Sequence, residues 1–320
     1  MTTPALLEAE GVLVDFKVRG RRLQAVAGAS LCVGHGESVG LVGESGCGKS
    51  TFGRSLVRLV EPTSGKVRFD GIDVMALDTA GLRALRRRMP IVFQDPISSL
   101  NPRRNVGETI VESLRYAGNR DGVAQARKAA ELLERVGLDP AFASRKPHQL
   151  SGGQCQRVSI ARALAAEPQL LICDEAVSAL DVSVQAQIVN LLQDLRRDGG
   201  LALLFISHDL AVVRRISDRV AVMYLGVLCE VADVDSFFAA PAHPYSQALL
   251  SAVPDMDSRT SQARIALTGE MPSPLDPPSG CRFRTRCPRA EQRCAAEAPL
   301  LRDLAPGRRV ACHFPIWSAS

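Results

Sequence analysis

The stretch Gly43-Glu44-Ser45-Gly46-Cys47-Gly48-Lys49-Ser50-Thr51 follows the apolar run Val39-Gly40-Leu41-Val42 and constrains the chain more than any other part. It reads as strand, glycine loop and helix start. Gly43, Gly46 and Gly48 admit turns that a side chain would block, so successive N–H groups converge on an anion at the positive end of a helix. Lys49 adds a full charge for the β- and γ-phosphates of a nucleotide, and the Ser50 hydroxyl is a Mg²⁺ ligand. A glycine-rich turn beside a surface lysine is the bland alternative, and four fixed positions leave it little room.

With 320 residues, 46% of them hydrophobic, the chain has the length for a large α/β core and a smaller appendage. A net charge of +5 does not argue for nucleic acid, and one Trp with three Tyr makes base-stacking platforms scarce. The basic run Arg83, Arg86, Arg87, Arg88 is read as a solvated helix face. The start, with Glu8 and Glu10 and no basic segment, is not a signal peptide, so the chain is expected in the cytoplasm. No apolar run approaches the ~20 residues of a membrane span. Nine cysteines in a reducing compartment are expected as thiols or metal ligands.

Short apolar runs from 5 to 35, split by Gly11, Gly20, Gly28 and Gly34, predict short antiparallel strands. Ile91-Val92-Phe93 reads as a buried strand that delivers Gln94 at its tip, where α/β folds place ligand contacts. Gln94 is thus a contact for the metal or the attacking water, or else an ordinary strand-end glutamine. After the proline-punctuated loop 95–104, helical periodicity from Val106 to Leu138 interrupts the α/β pattern as an inserted subdomain.

Ser151, Gly152, Gly153 and Gln154 open a second helix with bare N–H groups ready for an anion; simple helix capping is the alternative. Leu170-Leu171-Ile172-Cys173 is an apolar strand ending in Asp174 and Glu175. Strand alternation suits Asp174 to hold Mg²⁺ and Glu175 to polarise the attacking water. The strand Leu201 to Ile206 ends in Ser207-His208; His208 is read as a γ-phosphate contact, with a structural imidazole as the alternative.

In this order and spacing, over about 230 residues, these motifs resemble the nucleotide-binding subunit of ABC transporters. The resemblance implies an α/β P-loop ATPase with an antiparallel β subdomain, an inserted helical subdomain and a small cysteine-containing C-terminal extension. The expected boundaries are 1–94 and 159–234 for the ATPase core, 95–158 for the helical subdomain and 235–320 for the extension. Phe16 falls where the family stacks an aromatic on adenine, a core phenylalanine being the alternative. The resemblance further implies a head-to-tail dimer in which ATP and Mg²⁺ sit on one subunit's loop 43–51. Ser151 and Gly153 of the other subunit would reach the γ-phosphate, and Asp181 would face the partner's loop. Ala176-Val177 replaces a common Pro-Thr, and Cys155 and Cys173 sit inside motifs, but no catalytic group is lost.

Residues 94–103, 181–187 and the run His243-Pro244-Tyr245-Ser246 look like the ATP-binding subunits of oligopeptide and dipeptide importers; glutathione and nickel importers share much of this text. That implies a homologous ATPase partner, either nonidentical or a second copy. It also implies two membrane permease subunits whose coupling helix docks near 95–104, a solute-binding protein, and a place on the cytoplasmic face of the inner membrane. The competing class is a soluble ABC ATPase acting on nucleic acid, ribosomes or cofactor assembly. A P-loop kinase would leave 150–154 without a job.

Beyond the Pro-rich stretch 272–278 lie Cys281, Cys287, Cys294 and Cys312, four of the nine cysteines where even scatter would place about one. The spacing lacks the close Cys-x2–4-Cys pair of structural zinc and suits four thiolates on an iron–sulfur cluster. Importers with this tail are associated with a [4Fe–4S] cluster; zinc and metal-free thiols are the alternatives.

Overall fold

The computed structural model describes residues 5–116, 121–252 and 269–316. In chain order the elements are β1 (Leu7–Val18), β2 (Arg21–Val33), β3 (Ser38–Val42), α1 (Lys49–Leu56), β4 (Ser64–Phe69), β5 (Ile72–Asp73), α2 (Thr79–Arg88) and β6 (Ile91–Val92). Then come α3 (Val106–Tyr116), α4 (Gly122–Arg135), α5 (Gly152–Leu164), β7 (Leu170–Asp174), α6 (Val182–Gly199), β8 (Ala202–Ser207), α7 (Leu210–Ile216), β9 (Arg219–Tyr224) and β10 (Val227–Asp233). The chain closes with α8 (Val234–Ala239), α9 (Pro244–Ser251), α10 (Gln292–Ala296), β11 (Arg302–Ala305) and β12 (Arg308–Val310). Among the described residues no helix is long and apolar enough to cross a membrane.

Compactness divides the chain into one unit of residues 1–33, 38–75 and 207–320 and a second of 34–37 and 76–206. Residues 95–158 lie in the second unit with strands β6 and β7, and residues 235–320 lie in the first.

In the first unit β2, β1, β4 and β5 form an antiparallel sheet in that order. Leu7, Ala9, Val12 and Val14 of β1 are buried together with Val67 and Phe69 of β4, which gives the sheet one apolar face. The many short strands expected here are two long ones, of 12 and 13 residues. Gly11 and Gly28 do not end strands; they fall where the pairing slips between Ala9 and Val12 and between Val12 and Leu13, as bulges. A second set runs β11, β12, β10, β9, β3, with β3 parallel to β9 and all five of its residues buried.

The extension, residues 235–320, is expected from the sequence as a small appendage. It shares the core of the first unit. Its hairpin of β11 and β12 pairs with β10 through Glu230↔Val310 and Val231↔Arg309. Tyr224, Tyr245 and Phe283 are buried and pack edge to face or tilted, with ring centroids 4.7 to 5.3 Å apart. Arg308 faces Glu230 at 3.5 Å, both side chains out of solvent, and the Glu230 carboxylate also accepts the N–H groups of Ala242 and His243.

In the second unit β6, β7 and β8 run parallel, and every residue of β7 and β8 is buried, as strands covered on both faces require. The helices start on side-chain caps: Asp78 for α2, Asp121 for α4, Ser151 for α5 and Asp181 for α6. Ile188, Val189, Leu192 and Leu195 form the buried stripe of α6, which ends at left-handed Gly200.

Candidate functional site

The first unit carries loop 43–51, Phe16, His208 and the four clustered cysteines; the second carries Gln94, residues 151–154, Asp174, Glu175 and Asp181.

The glycine loop is dictated by close approach as much as by φ. Gly43 (φ 155°) and Gly48 (φ 107°) lie in backbone regions that disfavour side chains. A Cβ on Gly48 would stand 2.2 Å from the Ala25 carbonyl oxygen, and one on Gly43 would stand 2.1 Å from that of Met223. Gly48 is also the N-cap of α1 and makes no side-chain cap bond, which leaves the helix start available to an anion. Ser45 and Gly46 at the loop tip are exposed, and Ser50 and Thr51 are half-buried. Lys49 is buried and folds its ammonium back on the loop, where Nζ donates to Gly43 O at 2.9 Å and Glu44 O at 3.0 Å. The Cys47 thiol is buried, and desolvation pushes its pKa up, so it packs as a neutral group.

Glu44, within the loop, is held at three points. Its N–H donates to Tyr245 Oη at 2.9 Å, its carbonyl accepts from Lys49, and both carboxylate oxygens accept from Arg286 Nη1 at 3.0 Å. Arg286 carries no signal in the sequence, and Tyr245 enters there only as part of the run 243–246; no local pattern marks either as a neighbour of the loop. Phe16, on β1 opposite Leu23, is 39% exposed and is therefore not a core phenylalanine. His208 is exposed, one residue before Asp209, the N-cap of α7.

In the second unit Asp174 ends β7 with only 2% of its surface exposed. Glu175, immediately after it, takes the left-handed conformation (φ 51°), which costs a non-glycine residue roughly 1–3 kcal/mol. The turn is held from both sides. Glu175 N–H donates to Ile206 O at 3.0 Å, and its carbonyl accepts from Ser178 Oγ at 2.9 Å. Gln94 is exposed just beyond β6.

Capping accounts for part of the second glycine motif. Ser151 Oγ accepts from Gln154 N–H at 3.3 Å while Gln154 Oε1 accepts from Ser151 N–H at 2.9 Å, a reciprocal capping box. Gly152 has open space beyond Leu180, whereas a Cβ on Gly153 would strike Val184 of α6. Asp181 is the cap of α6: its carboxylate accepts from Ser183 Oγ at 2.7 Å and Val184 N–H at 2.9 Å, and these bonds hold its pKa below the usual carboxylate range. The motif cysteines Cys155 and Cys173 are buried neutral thiols, desolvation pushing Cys173 up to about 12.

Cys281, Cys287, Cys294 and Cys312 line one cavity of the first unit, together with Phe283 and His243. Burial raises the Cys281 and Cys287 thiols and takes Cys312 up to about 11, the neighbouring cysteines pushing the same way. Among the described residues no three His, Cys, Asp or Glu side chains converge closely enough to hold a single metal ion.

Comparison with known proteins gives these features a common context. The profile of the ABC transporter family matches residues 26–178, and that of the oligopeptide/dipeptide transporter C-terminal region matches 229–294. A putative peptide import ATP-binding protein of Brucella ovis is 49% identical over 312 residues, 98% of each chain. The oligopeptide transport ATP-binding protein AppF of Bacillus subtilis is 48% identical over 319 residues, 97% of each chain. Among solved structures, a dimeric ATP-binding cassette in a post-hydrolysis state with ADP and Pi is 32% identical at a TM-score of 0.66, covering 71% of this chain and 98% of that one. The cassette cbiO1 of Clostridium perfringens, part of the cbiONQ ABC transporter complex, is 27% identical at a TM-score of 0.65, covering 73% and 91%. Near-half identity over almost the full length, on a phosphate loop built as described, makes this chain an ATPase subunit of the ABC transporter family.

Proposed function

We propose that the chain hydrolyses ATP to power uptake of di- or oligopeptides through separate membrane permease subunits. The observation that carries this reading is the match of residues 229–294 to the oligopeptide/dipeptide transporter C-terminal region, joined in one chain to the uncapped phosphate loop. The competing soluble ATPase of nucleic acid, ribosomes or cofactor assembly has no such observation behind it.

In this mechanism Phe16 stacks on adenine, loop 43–51 wraps the phosphates with its N–H groups, and Lys49 balances their charge. Ser50, Gln94 and Asp174 supply the all-oxygen donor set that Mg²⁺ takes; the ion, when bound, neutralises the phosphate charge. Glu175 is the general base that takes a proton from the attacking water, and His208 contacts the γ-phosphate. Ser151, Gly153 and Asp181 act on the ATP of a second ATPase subunit, a homologous nonidentical chain or another copy, so ATP closes a head-to-tail dimer and hydrolysis releases it. Gly152 and Gln154 complete that helix start.

Two permease subunits hold the chain at the cytoplasmic face of the inner membrane and receive solute from a binding protein. An open groove along α3, lined by Arg104 at the end of loop 95–104 and by Glu108, Val111, Glu112, Arg115 and Tyr116, supports docking of a permease helix there. Copurification with two hydrophobic permease chains and peptide-dependent ATP turnover in the assembled complex is the expected result. Stable association with ribosomes or DNA, and no permease, overturns the reading.

The extension holds a [4Fe–4S] cluster on Cys281, Cys287, Cys294 and Cys312. Four thiols lining one cavity would supply the sulfur donors of such a cluster, and this supports the reading. Protein purified without air is expected to be brown and to lose its colour in Cys287→Ser; a colourless, iron-free parent chain ends this part of the proposal.

A further inference from the structure

We propose that Arg286 and Tyr245 of the C-terminal extension are positioning residues for the phosphate loop and set its affinity for ATP. The contacts reach 242 and 201 residues along the chain, and they converge on one residue, Glu44. Every polar group of Glu44 is engaged: the N–H by Tyr245, the carbonyl by Lys49, the carboxylate by Arg286. The holders are themselves fixed. The Arg286 side chain is 7% exposed and lies 5.8 Å from the Tyr224 ring centroid, and Tyr245 is packed between Tyr224 and Phe283.

Two physical effects act in the same direction. A loop whose backbone is fixed in advance loses less entropy when its N–H groups close on phosphate, which strengthens binding without changing the chemical step. The guanidinium also cancels a carboxylate that stands inside a loop meant for a polyanion; without it, Glu44 repels the ligand that the loop collects.

This inference rests on the reading that loop 43–51 holds the phosphates of ATP, and the test separates the two. Binding of a fluorescent ATP analogue is measured on the full-length chain, and KM and kcat for ATP on the assembled transporter. Arg286→Met is expected to raise both the dissociation constant and KM by about tenfold, equivalent to 1.4 kcal/mol, with kcat within about twofold. Arg286→Lys recovers part of the loss. Glu44→Gln/Arg286→Met binds better than Arg286→Met alone, because the uncancelled charge is gone. Tyr245→Phe, which removes only the hydroxyl acceptor, weakens binding by a smaller factor and keeps the test open if Arg286→Met does not fold. Folded Arg286→Met and Tyr245→Phe chains that bind the analogue like the parent overturn the proposal. Retained binding in Lys49→Ala would instead overturn the underlying reading of the loop.

Discussion

A Cβ placed on Gly153 would stand 2.4 Å from Val184 Cγ1. The second glycine of the stretch 151–154 is therefore required by the packing of α5 on α6 within one subunit, before any role toward a partner's nucleotide is considered. Gly153→Ala is expected to cost about 1–3 kcal/mol through overpacking. Adding Val184→Ala makes room and should restore the melting temperature. If the Gly153 N–H also approaches the partner's γ-phosphate, Gly153→Ala/Val184→Ala remains at least about tenfold slower in ATP turnover than Val184→Ala. Recovery of both stability and turnover would reduce Gly153 to a packing residue.

Asp181 invites the same separation by a different substitution. As the cap of α6 it bonds Val184 N–H, a role that asparagine also fills. Asp181→Asn should leave thermal stability nearly unchanged, while Asp181→Ala should lose about 1 kcal/mol. A fall in ATP turnover shared by both variants identifies a role for the charge at the partner's loop. Turnover that simply follows stability identifies a cap and nothing more.

Glu175→Gln keeps the shape and removes the base. Steady-state hydrolysis should drop by about 10²–10⁴ while ATP binding persists and the dimer stays closed, as gel filtration with ATP would show. Unchanged turnover in the assembled transporter would remove Glu175 from the reaction.

Arg308 and Glu230 anchor the extension by a pair that solvent does not reach. Arg308→Met leaves the Glu230 carboxylate buried with no cation beside it, and should cost about 3–5 kcal/mol in chemical denaturation. Arg308→Met/Glu230→Gln should regain part of that loss, since no uncompensated charge remains. A single variant as stable as the parent would show that the pair does not hold the extension in place.

What could be read in the sequence was what neighbouring residues decide among themselves. Loop 43–51 is a local object, since its turns, its lysine and the start of α1 all lie within nine consecutive residues. The apolar runs of β7 and β8 likewise announce strands buried on both faces. Glycines were read less well. Gly11 and Gly28 read as strand ends and are bulges, because the antiparallel pairing of β1 with β2 resumes beyond each of them. The Ser-x-x-Gln pattern at 151–154 carried a capping box in plain view, yet an anion site and a capping box begin with the same residue types. Nothing local could reveal Arg286 on Glu44, a contact made by the fold of the whole first unit. Nor do Arg302–Ala305 and Arg308–Val310, short and mostly polar, resemble strands until β10 supplies the partner.

The pairing of β12 with β10 has a consequence for anyone wishing to trim this protein. Cutting the chain after the last helix of the nucleotide-binding fold would strip β10 of its outer neighbour and leave backbone groups unpaired around Cys229, Glu230 and Val231, beside the apolar side chains of Leu228 and Val231. Such an edge is a template for strand addition by other molecules. The shortened chain would be a self-associating one, so the tail acts as the fold's own guard against aggregation as well as its last element.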